Sequence, residues 1–315
     1  MGSQADWNSF GGVVTSLLDG NAVAIAITAL IAFGLPVLLH LVFYRSAASP
    51  PSSNFLLLGP SGAGKTSLLS LLEAKSSLSK KPKSTHTSQS STLTVVSLPP
   101  SVPTASNRFR SVNDPSLKDV SRNPVKYRLR DTPGHGKLRW EQGVSQLLSM
   151  SKAKDVKSKL RGVIFMVDTA ALSEDEVLRD TAIYLHDVLL TLQKRALNKG
   201  KASLKTAMEI PVLVAANKQD LFTALPPNSV RERLVAEIDR IRWSRSKGLM
   251  DASADAAVGD EDDILGTEDT PFNFKLLKDE IGLKVDIIGG AVRDDNSDDF
   301  GSGVRKWEEW IGMCL

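Results

Sequence analysis

Short apolar runs alternate with amphipathic stretches along the chain after residue 53. Six runs predict strands, at 54–58, 93–98, 125–129, 162–167, 211–216 and 283–288. Apolar residues at i, i+3 and i+4 predict helices at 178–192, 230–242 and 304–311, and a further helix follows the first strand. Because strands alternate with helices, we expect an α/β fold with a doubly wound, mostly parallel sheet.

The most apolar stretch of the sequence lies before this pattern. Residues 22–43 carry no formal charge and are roughly as many as the 20 needed to cross the hydrocarbon core of a bilayer. We predict a transmembrane anchor at 22–44, because a buried core helix this uniformly apolar would need shielding on all sides. Asp6 and Asp19 precede the stretch and Arg45 follows it, so the positive-inside rule predicts a short lumenal segment at 1–21 and a cytosolic C-terminal part.

Three other stretches lack a helix or strand pattern. Residues 45–53, rich in Ser and Pro, are expected to form a linker. Residues 99–123 are rich in Pro, Ser and Asn, and residues 246–269 contain the acidic run DEDD. We expect mobile insertions at about 99–123 and 246–269. The acidic run could instead recruit a basic partner, although solvated disorder is the simpler account.

Charge balance and cysteine count narrow the class of protein. The sequence has 39 Lys and Arg against 36 Asp and Glu, a formal net charge of +3, without the basic excess typical of nucleic-acid-binding domains. We therefore expect no direct nucleic-acid partner. The single cysteine, Cys314, allows neither an intrachain disulfide nor a cysteine metal cluster, which is typical of a reducing compartment.

The strongest chemical signal is GPSGAGKT at 59–66, between the first strand and a helix. It matches the phosphate-binding pattern G-x-x-x-x-G-K-[ST], in which glycines turn backbone N–H groups toward phosphates. Lys65 supplies positive charge to the terminal phosphates, and the Thr66 hydroxyl can ligate magnesium. The nucleotide-binding residues predicted here are Gly59, Pro60, Ser61, Gly62, Ala63, Gly64, Lys65, Thr66 and Ser67.

Two further motifs follow in chain order. Asp131 ends a predicted strand, where its carboxylate can hold the magnesium shell, and Gly134 then lets a backbone N–H approach the terminal phosphate. Asn217, Lys218 and Asp220 follow the buried strand in PVLVAANKQD. The Asp220 carboxylate can accept two N–H bonds from guanine, which adenine does not offer, and the Lys218 stem can pack on the base. These motifs predict GTP/GDP and Mg²⁺ as ligands.

Three ordered motifs of this kind resemble the Ras and Arf-like GTPase superfamily. The Asp-x-Pro-Gly-His form at 131–135, the apolar N-terminal segment and the Val-x-x-Trp sequence at 304–307 are similar to the signal recognition particle receptor beta subunit family. The resemblance extends roughly from Ala22 to the C-terminus. It implies a P-loop small GTPase fold for 54–315, preceded by one transmembrane helix.

The resemblance also implies roles for residues that chemistry alone does not assign. His135 stands where many hydrolysing GTPases have a water-orienting Gln, which implies slow hydrolysis; we favour a switch role for His135 over catalysis as a general base. The switch threonine that ligates magnesium is expected at Thr87, with Thr85 as the alternative. The loop 290–292 departs from the family's Ser-Ala-Lys, so only the backbone N–H of Ala291 is carried over as a base contact.

The resemblance further implies a single-pass protein of the endoplasmic reticulum membrane. Its GTP state would bind the receptor alpha subunit, and through it the signal recognition particle and the ribosome, with GTP holding the switch loops in a partner-binding shape. An Arf-like or Sar-like coat-recruiting GTPase is one alternative, but such proteins use an amphipathic or lipidated N-terminus. A pseudo-GTPase scaffold, with the fold but without nucleotide control, is the other.

Overall fold

The structure is a computed structural model. It describes residues 22–47, 53–77, 84–105, 124–153, 158–197, 210–253, 264–266, 270–293 and 301–315. The chain divides into two compact units, Met1–Pro51 and Ser52–Leu315.

The first unit contains helix α1, Ala22–Ala47, which has 26 residues and includes Pro36. Large apolar side chains such as Leu30 and Phe33 are exposed along it. Among the helices that the structure describes, none has both the length and the apolar character needed to cross a bilayer.

The second unit is built on a six-stranded sheet. Its strands are β1 Asn54–Leu58, β2 Thr92–Ser97, β3 Lys126–Asp131, β4 Leu160–Asp168, β5 Val212–Asn217 and β6 Val285–Gly289. Their spatial order is β2-β3-β1-β4-β5-β6. Only the β2–β3 pair among these strands is antiparallel, and the other four pairs are parallel. The prediction of a mostly parallel sheet is therefore confirmed.

Helices connect these strands. They are α2 Lys65–Ser76, α3 Ser145–Lys152, α4 Asp175–Leu197, α5 Pro227–Ser253, α6 Phe274–Ile281 and α7 Arg305–Cys314. A helical turn, Gly136–Leu138, and a π-helical segment, Arg139–Val144, lead into α3. The sequence pattern did not predict α3 or α6, because each has eight residues and so presents only about two helical turns of periodicity.

Helices cover both faces of the sheet, and side chains on each strand alternate between the two cores. Phe55 and Leu57 of β1 pack with residues of α2 and α7, whereas Leu56 and Leu58 pack with residues of α3, α4, α5 and α6. All five side chains of β1 are buried, which explains why the central strands have continuous apolar runs in the sequence.

The second predicted insertion, 246–269, contains some regular structure, and its mobility stays a prediction. Its first eight residues continue α5 to Ser253, because extending a formed helix costs far less than nucleating one. Further along, Leu265 is buried in the core. The side-chain amide of Gln193 in α4 holds this turn: its Nε2 donates to the Ile264 carbonyl at 2.7 Å, and its Oε1 accepts from the Gly266 N–H at 2.8 Å.

The first predicted insertion also begins with packed residues. Val102 and Thr104 are buried, and Val102 joins the core formed with α2 and α7. The Ala105 N–H donates to the Gly312 carbonyl of α7 at 3.0 Å. The remainder of both predicted insertions, 106–123, 254–263 and 267–269, lies outside the described residues, as does the predicted N-terminal segment 1–21.

Candidate nucleotide-binding site

The loop 59–64 lies at the carboxyl edge of the sheet, where β1, β3, β4, β5 and β6 all end and where ligands bind in open α/β sheets. Gly64 adopts a φ of 96°, in the left-handed region that other residues avoid. A Cβ atom at this position would also overlap the side chain of Asn217. The glycine therefore lets the loop turn tightly into α2 beside Asn217, at the end of β5.

Lys65, the first residue of α2, folds back into this loop. Its Nζ donates hydrogen bonds to the carbonyl oxygens of Gly59 and Pro60, both at 2.8 Å. Burial lowers the pKa of Lys65 to about 8, although the charge of Asp131 opposes this shift. A buried cation is thus held where the phosphate-binding pattern requires one.

Thr66, Asp131 and Ser88 form a cluster of oxygen atoms beside Lys65. Both hydroxyl groups donate to Oδ2 of Asp131, Thr66 at 2.7 Å and Ser88 at 3.2 Å, and the two hydroxyls lie 2.8 Å apart. Burial raises the pKa of the Asp131 carboxyl, while the Thr66 hydrogen bond and the Lys65 charge act in the opposite direction. Its Oδ1 is buried without a partner among the described residues. Hard oxygen donors and an unpaired carboxylate oxygen suit Mg²⁺.

Residues 85–88 line one side of a cavity of about 170 Å³, and the phosphate loop lines the other side. Thr85 and Thr87 both line this cavity, and the Thr85 hydroxyl lies 3.2 Å from the Ser67 hydroxyl. Ser88, rather than either threonine, contacts Thr66 and Asp131. The sequence analysis did not assign a role to Ser88, although Ser88 belongs to the same Ser- and Thr-rich stretch, 84–92, as Thr85 and Thr87. The assignment of Thr87 as a magnesium ligand stays a prediction.

Gly134 brings the loop after β3 against the phosphate loop. A Cβ atom there would overlap the Lys65 amine and come within 2.7 Å of the Gly59 carbonyl oxygen. The next residue, His135, is exposed and does not line the phosphate cavity. Its proposed switch or catalytic role therefore stays a prediction.

Arg139 is a site residue that the sequence analysis did not single out. Its Nε donates to the Gly134 carbonyl at 2.6 Å, and its two terminal nitrogens donate to the Asp180 carboxylate at 2.8 and 2.7 Å. Its guanidinium also lies over the Tyr184 ring, 5.3 Å from the centroid. The Gly134 loop is thereby tied to α4, a contact between residues far apart in sequence.

Asn217, at the end of β5, links the phosphate loop to the loop after β6. Its Nδ2 donates to the Ala63 carbonyl at 2.8 Å, and its Oδ1 accepts the Val292 N–H at 3.1 Å. Lys218 follows with a φ of 67° and donates to the Asp168 carboxylate. A left-handed lysine is strained backbone of the kind that concentrates at functional sites.

Asp220 is exposed and lines a second cavity, of about 650 Å³, together with Ala291. The N–H of Ala291 donates to the Gly303 carbonyl at 3.2 Å and so points toward the C-terminal segment. The base contact assigned to Ala291 stays a prediction, and the neighbouring Val292 N–H is the one that lies beside Asn217. The two cavities share no lining residue among those described.

Comparison with known proteins agrees with this geometry. The family model for the signal recognition particle receptor beta subunit matches residues 51–281. The beta subunit of Saccharomyces cerevisiae is 30% identical over 262 residues, 83% of this chain and 84% of the yeast protein. The Mus musculus beta subunit is 28% identical over 58% of this chain, and that match spans 57% of the mouse protein.

Solved structures from Chaetomium thermophilum are also similar. The receptor's SRb-GTP/SRX complex has a TM-score of 0.57 at 34% identity, covering 84% of this chain and 98% of that one. SRb-GDP-Mg has a TM-score of 0.55 at 34% identity, covering 84% of this chain and 99% of that one. With its phosphate loop, its Asp131 cluster and its Asn217 link in place, this chain belongs to the signal recognition particle receptor beta subunit family.

Proposed function

We propose that this chain is a membrane-anchored GTP-binding switch that binds the receptor alpha subunit in its GTP state, as part of co-translational targeting to the endoplasmic reticulum. The relatives' structures, named as complexes with GTP, GDP and GDP-Mg, support GTP/GDP and Mg²⁺ as the ligands. The fungal complex of SRb-GTP with SRX supports a nucleotide-dependent partner.

The phosphate cavity offers the groups that this function needs. Lys65 would contact the terminal phosphates, Thr66 and Asp131 would hold Mg²⁺ directly or through water, and the Gly134 N–H would meet the terminal phosphate. Bound Mg²⁺ would neutralise charge on the phosphate oxygens. Asp220 would select guanine, with Asn217 holding the surrounding loops together.

The observation that carries the switch proposal is the link between the two segments at the phosphate cavity. Gln142, in the π-helical segment after Gly134, accepts from the Ser91 N–H at 2.8 Å and donates to the Gln89 carbonyl at 3.1 Å. Ser88, just before these residues, contacts Thr66 and Asp131. A terminal phosphate that draws in Gly134 and a metal that draws in Ser88 would therefore order both segments together.

The surface beside these segments suits a protein partner. β2 is an edge strand, and it exposes 48% of Leu93 and 56% of Val95. Trp140, two residues before Gln142, is 60% exposed. Apolar side chains at an edge strand and an exposed tryptophan are typical of interaction surfaces. A partner that covers Trp140 and β2 would thus contact the two segments that the nucleotide orders and would bind more tightly when they are ordered.

Membrane anchoring is proposed from the sequence alone. The uncharged apolar run 22–43 supports one crossing, with 1–21 lumenal and the domain 54–315 cytosolic. Alkaline extraction tests this directly: an anchored chain stays with the membrane pellet, and release into the supernatant would contradict the anchor.

The partner proposal is tested by measuring the affinity of the purified alpha subunit for the full-length chain in nanodiscs. GTP-loaded chain should bind at least about tenfold more tightly than GDP-loaded chain, a coupling of about 1.4 kcal/mol. Thr66→Asn, which removes the magnesium-site hydroxyl, should bind weakly with either nucleotide, whereas Thr270→Asn, at an exposed position before α6, should behave as wild type. Equal affinity for the GTP and GDP forms of the wild type would refute the switch.

A further inference from the structure

The edge of the sheet opposite the nucleotide site carries a basic surface. We propose that this surface, formed by Lys126, Arg128, Lys152, Lys159 and Arg161, binds the anionic headgroups of the membrane in which the chain is anchored. The inference rests on the proposed anchor and adds a second contact with the bilayer, made by the folded domain itself.

The fold brings these residues together because parallel strands all begin at one edge. Asn54 of β1 is paired with Arg128 of β3 on one side and with Leu160 of β4 on the other. The Arg128 N–H donates to the Ser53 carbonyl at 2.7 Å, and the Asn54 side chain donates to the Lys159 carbonyl at 3.2 Å. Three strand starts therefore form one continuous strip.

The charge of this strip is uniform. The described residues at the three strand starts, 53–54, 124–128 and 158–161, contain four basic residues and no acidic one. Lys126 and Arg128 are exposed, and Arg161 is half-buried, with its Nε donating to the Cys314 carbonyl. Farther along the same edge the charges are mixed, since Lys284 pairs with Asp286 at 2.8 Å. The basic strip is thus confined to the β3–β1–β4 side.

Helices that return to this edge add further basic and apolar groups. The helices α3 and α4 end side by side, because Arg195 donates to the Ser151 carbonyl at 2.8 Å. Lys152, the last residue of α3, is exposed. At the end of α4, Leu197 is 48% exposed. Lysines beside exposed apolar side chains are the combination that interfacial membrane contacts use.

Trp243 of α5 lies at the same end of the domain. Pro227, the first residue of α5, lines the Asp220 cavity on the nucleotide side. Trp243 lies about 24 Å farther along this helix, slightly more than the roughly 20 Å length of the adjacent β5. The side chain is 72% exposed. Exposed tryptophans are enriched at membrane–water interfaces, where the ring sits among the headgroups.

The path of the chain favours a lipid surface over any other polyanion. β1 starts at Asn54, on this edge, and only residues 48–53 separate it from the end of α1. Six residues extend at most ~20 Å. If α1 is anchored in a bilayer, this length of chain limits how far Asn54 and the basic residues beside it can lie from the membrane, and their charge complements that of anionic headgroups.

The test is a lysine footprint of the full-length chain, reconstituted into vesicles of phosphatidylcholine alone or with added phosphatidylserine. A membrane-impermeant acetylating reagent and mass spectrometry report the labelling rate of each exposed lysine. Lys126 and Lys152 should label at least about threefold more slowly in the anionic vesicles, and high salt should remove the difference. Lys137 and Lys306, on the nucleotide side, are internal controls that should label equally in both.

A charge reversal sharpens the result. Arg128→Glu should return Lys126 to the labelling rate seen in neutral vesicles, whereas the matched change Arg179→Glu, near the start of α4 at the opposite edge, should not. Equal labelling of Lys126 and Lys152 in the two vesicle types would overturn the inference while leaving the anchor intact.

Two further outcomes would also overturn it, and they are distinguishable from each other. Protection of Lys126 by added structured RNA in neutral vesicles, without protection by phosphatidylserine, would assign the strip to nucleic acid. Release of the full-length chain from the vesicles at alkaline pH would remove the anchor on which both proposals depend.

Discussion

Single residues at the phosphate cavity are held in a state that favours a charged ligand. Lys65 and Asp131 are both buried, and burial disfavours the charged form of each: it lowers the pKa of Lys65 and raises the pKa of Asp131. Their hydrogen bonds to loop carbonyls and to the Thr66 and Ser88 hydroxyls offset part of this cost. Phosphate beside the lysine and magnesium beside the carboxylate would supply the remaining compensation, so the empty site is expected to lower the stability of the domain.

The lowered pKa of Lys65 makes this cost depend on pH. Between about 8 and the ordinary value of 10.5 the unfolded chain binds one more proton than the folded chain, so the contribution of Lys65 to the free energy of unfolding rises with pH. In nucleotide-free protein, Lys65→Met should be more stable than wild type below pH 8, and this advantage should shrink by up to about 3 kcal/mol toward pH 10.5. Denaturant unfolding across that range measures it, and a difference independent of pH would contradict the burial of a charged lysine.

Asp220 gives the second prediction for a single residue. Asp220→Asn replaces one carboxylate oxygen with an NH2 group. This change removes a hydrogen-bond acceptor for guanine and introduces a donor that suits xanthine. The affinity for GTP should fall at least about 100-fold, and xanthosine triphosphate should bind better than GTP. Competition binding measures this, with Asp175→Asn on the exposed start of α4 as the matched control. Retained selectivity for GTP would exclude Asp220 from base recognition.

Elements and their connections show which features local sequence can predict. The phosphate loop, Asp131 and Asn217 were predicted because each lies at or just after the end of a strand in a short motif of fixed spacing. Ser88 and Arg139 were missed because their partners, Asp131 and Asp180, are 43 and 41 residues away. The π-helical entry to α3 has no sequence pattern of its own, yet it carries the Gln142 link.

Gln142 joins two elements that would otherwise move independently. Gln142→Ala removes two hydrogen bonds worth about 1 kcal/mol each, so the affinity of the GTP form for the alpha subunit should fall by up to roughly 30-fold. Amide hydrogen exchange in 84–91 of the GTP form should rise as well. Gln146→Ala, which removes a contact with Arg130 within the domain, is the control and should leave both unchanged. If affinity and hydrogen exchange were both unchanged in Gln142→Ala, the two segments would respond to the nucleotide separately.

At the scale of the whole molecule, the alternation of strands and helices predicted the fold class, while the strand order could not be predicted. The order depends on long-range packing, as α7 illustrates. Trp307 donates to the Ile288 carbonyl at 2.9 Å, and Trp310 donates to Asp286 at 2.9 Å, which fixes α7 against the edge strand β6. The Lys75–Glu308 ion pair, at 2.7 Å, then joins α7 to the helix that follows the phosphate loop. The C-terminal helix α7 thereby connects β6, late in the sequence, with α2, early in the sequence.

The central claim, that the chain carries a guanine nucleotide, has a direct test. The full-length protein would be purified in detergent without stripping its ligand and then denatured, and the released nucleotide would be identified by chromatography. We predict close to one guanine nucleotide per chain, with GTP indicating the slow hydrolysis expected from His135 and GDP indicating ordinary turnover. An adenine nucleotide in that fraction, or a site that stays empty when GTP and Mg²⁺ are added, would contradict the account.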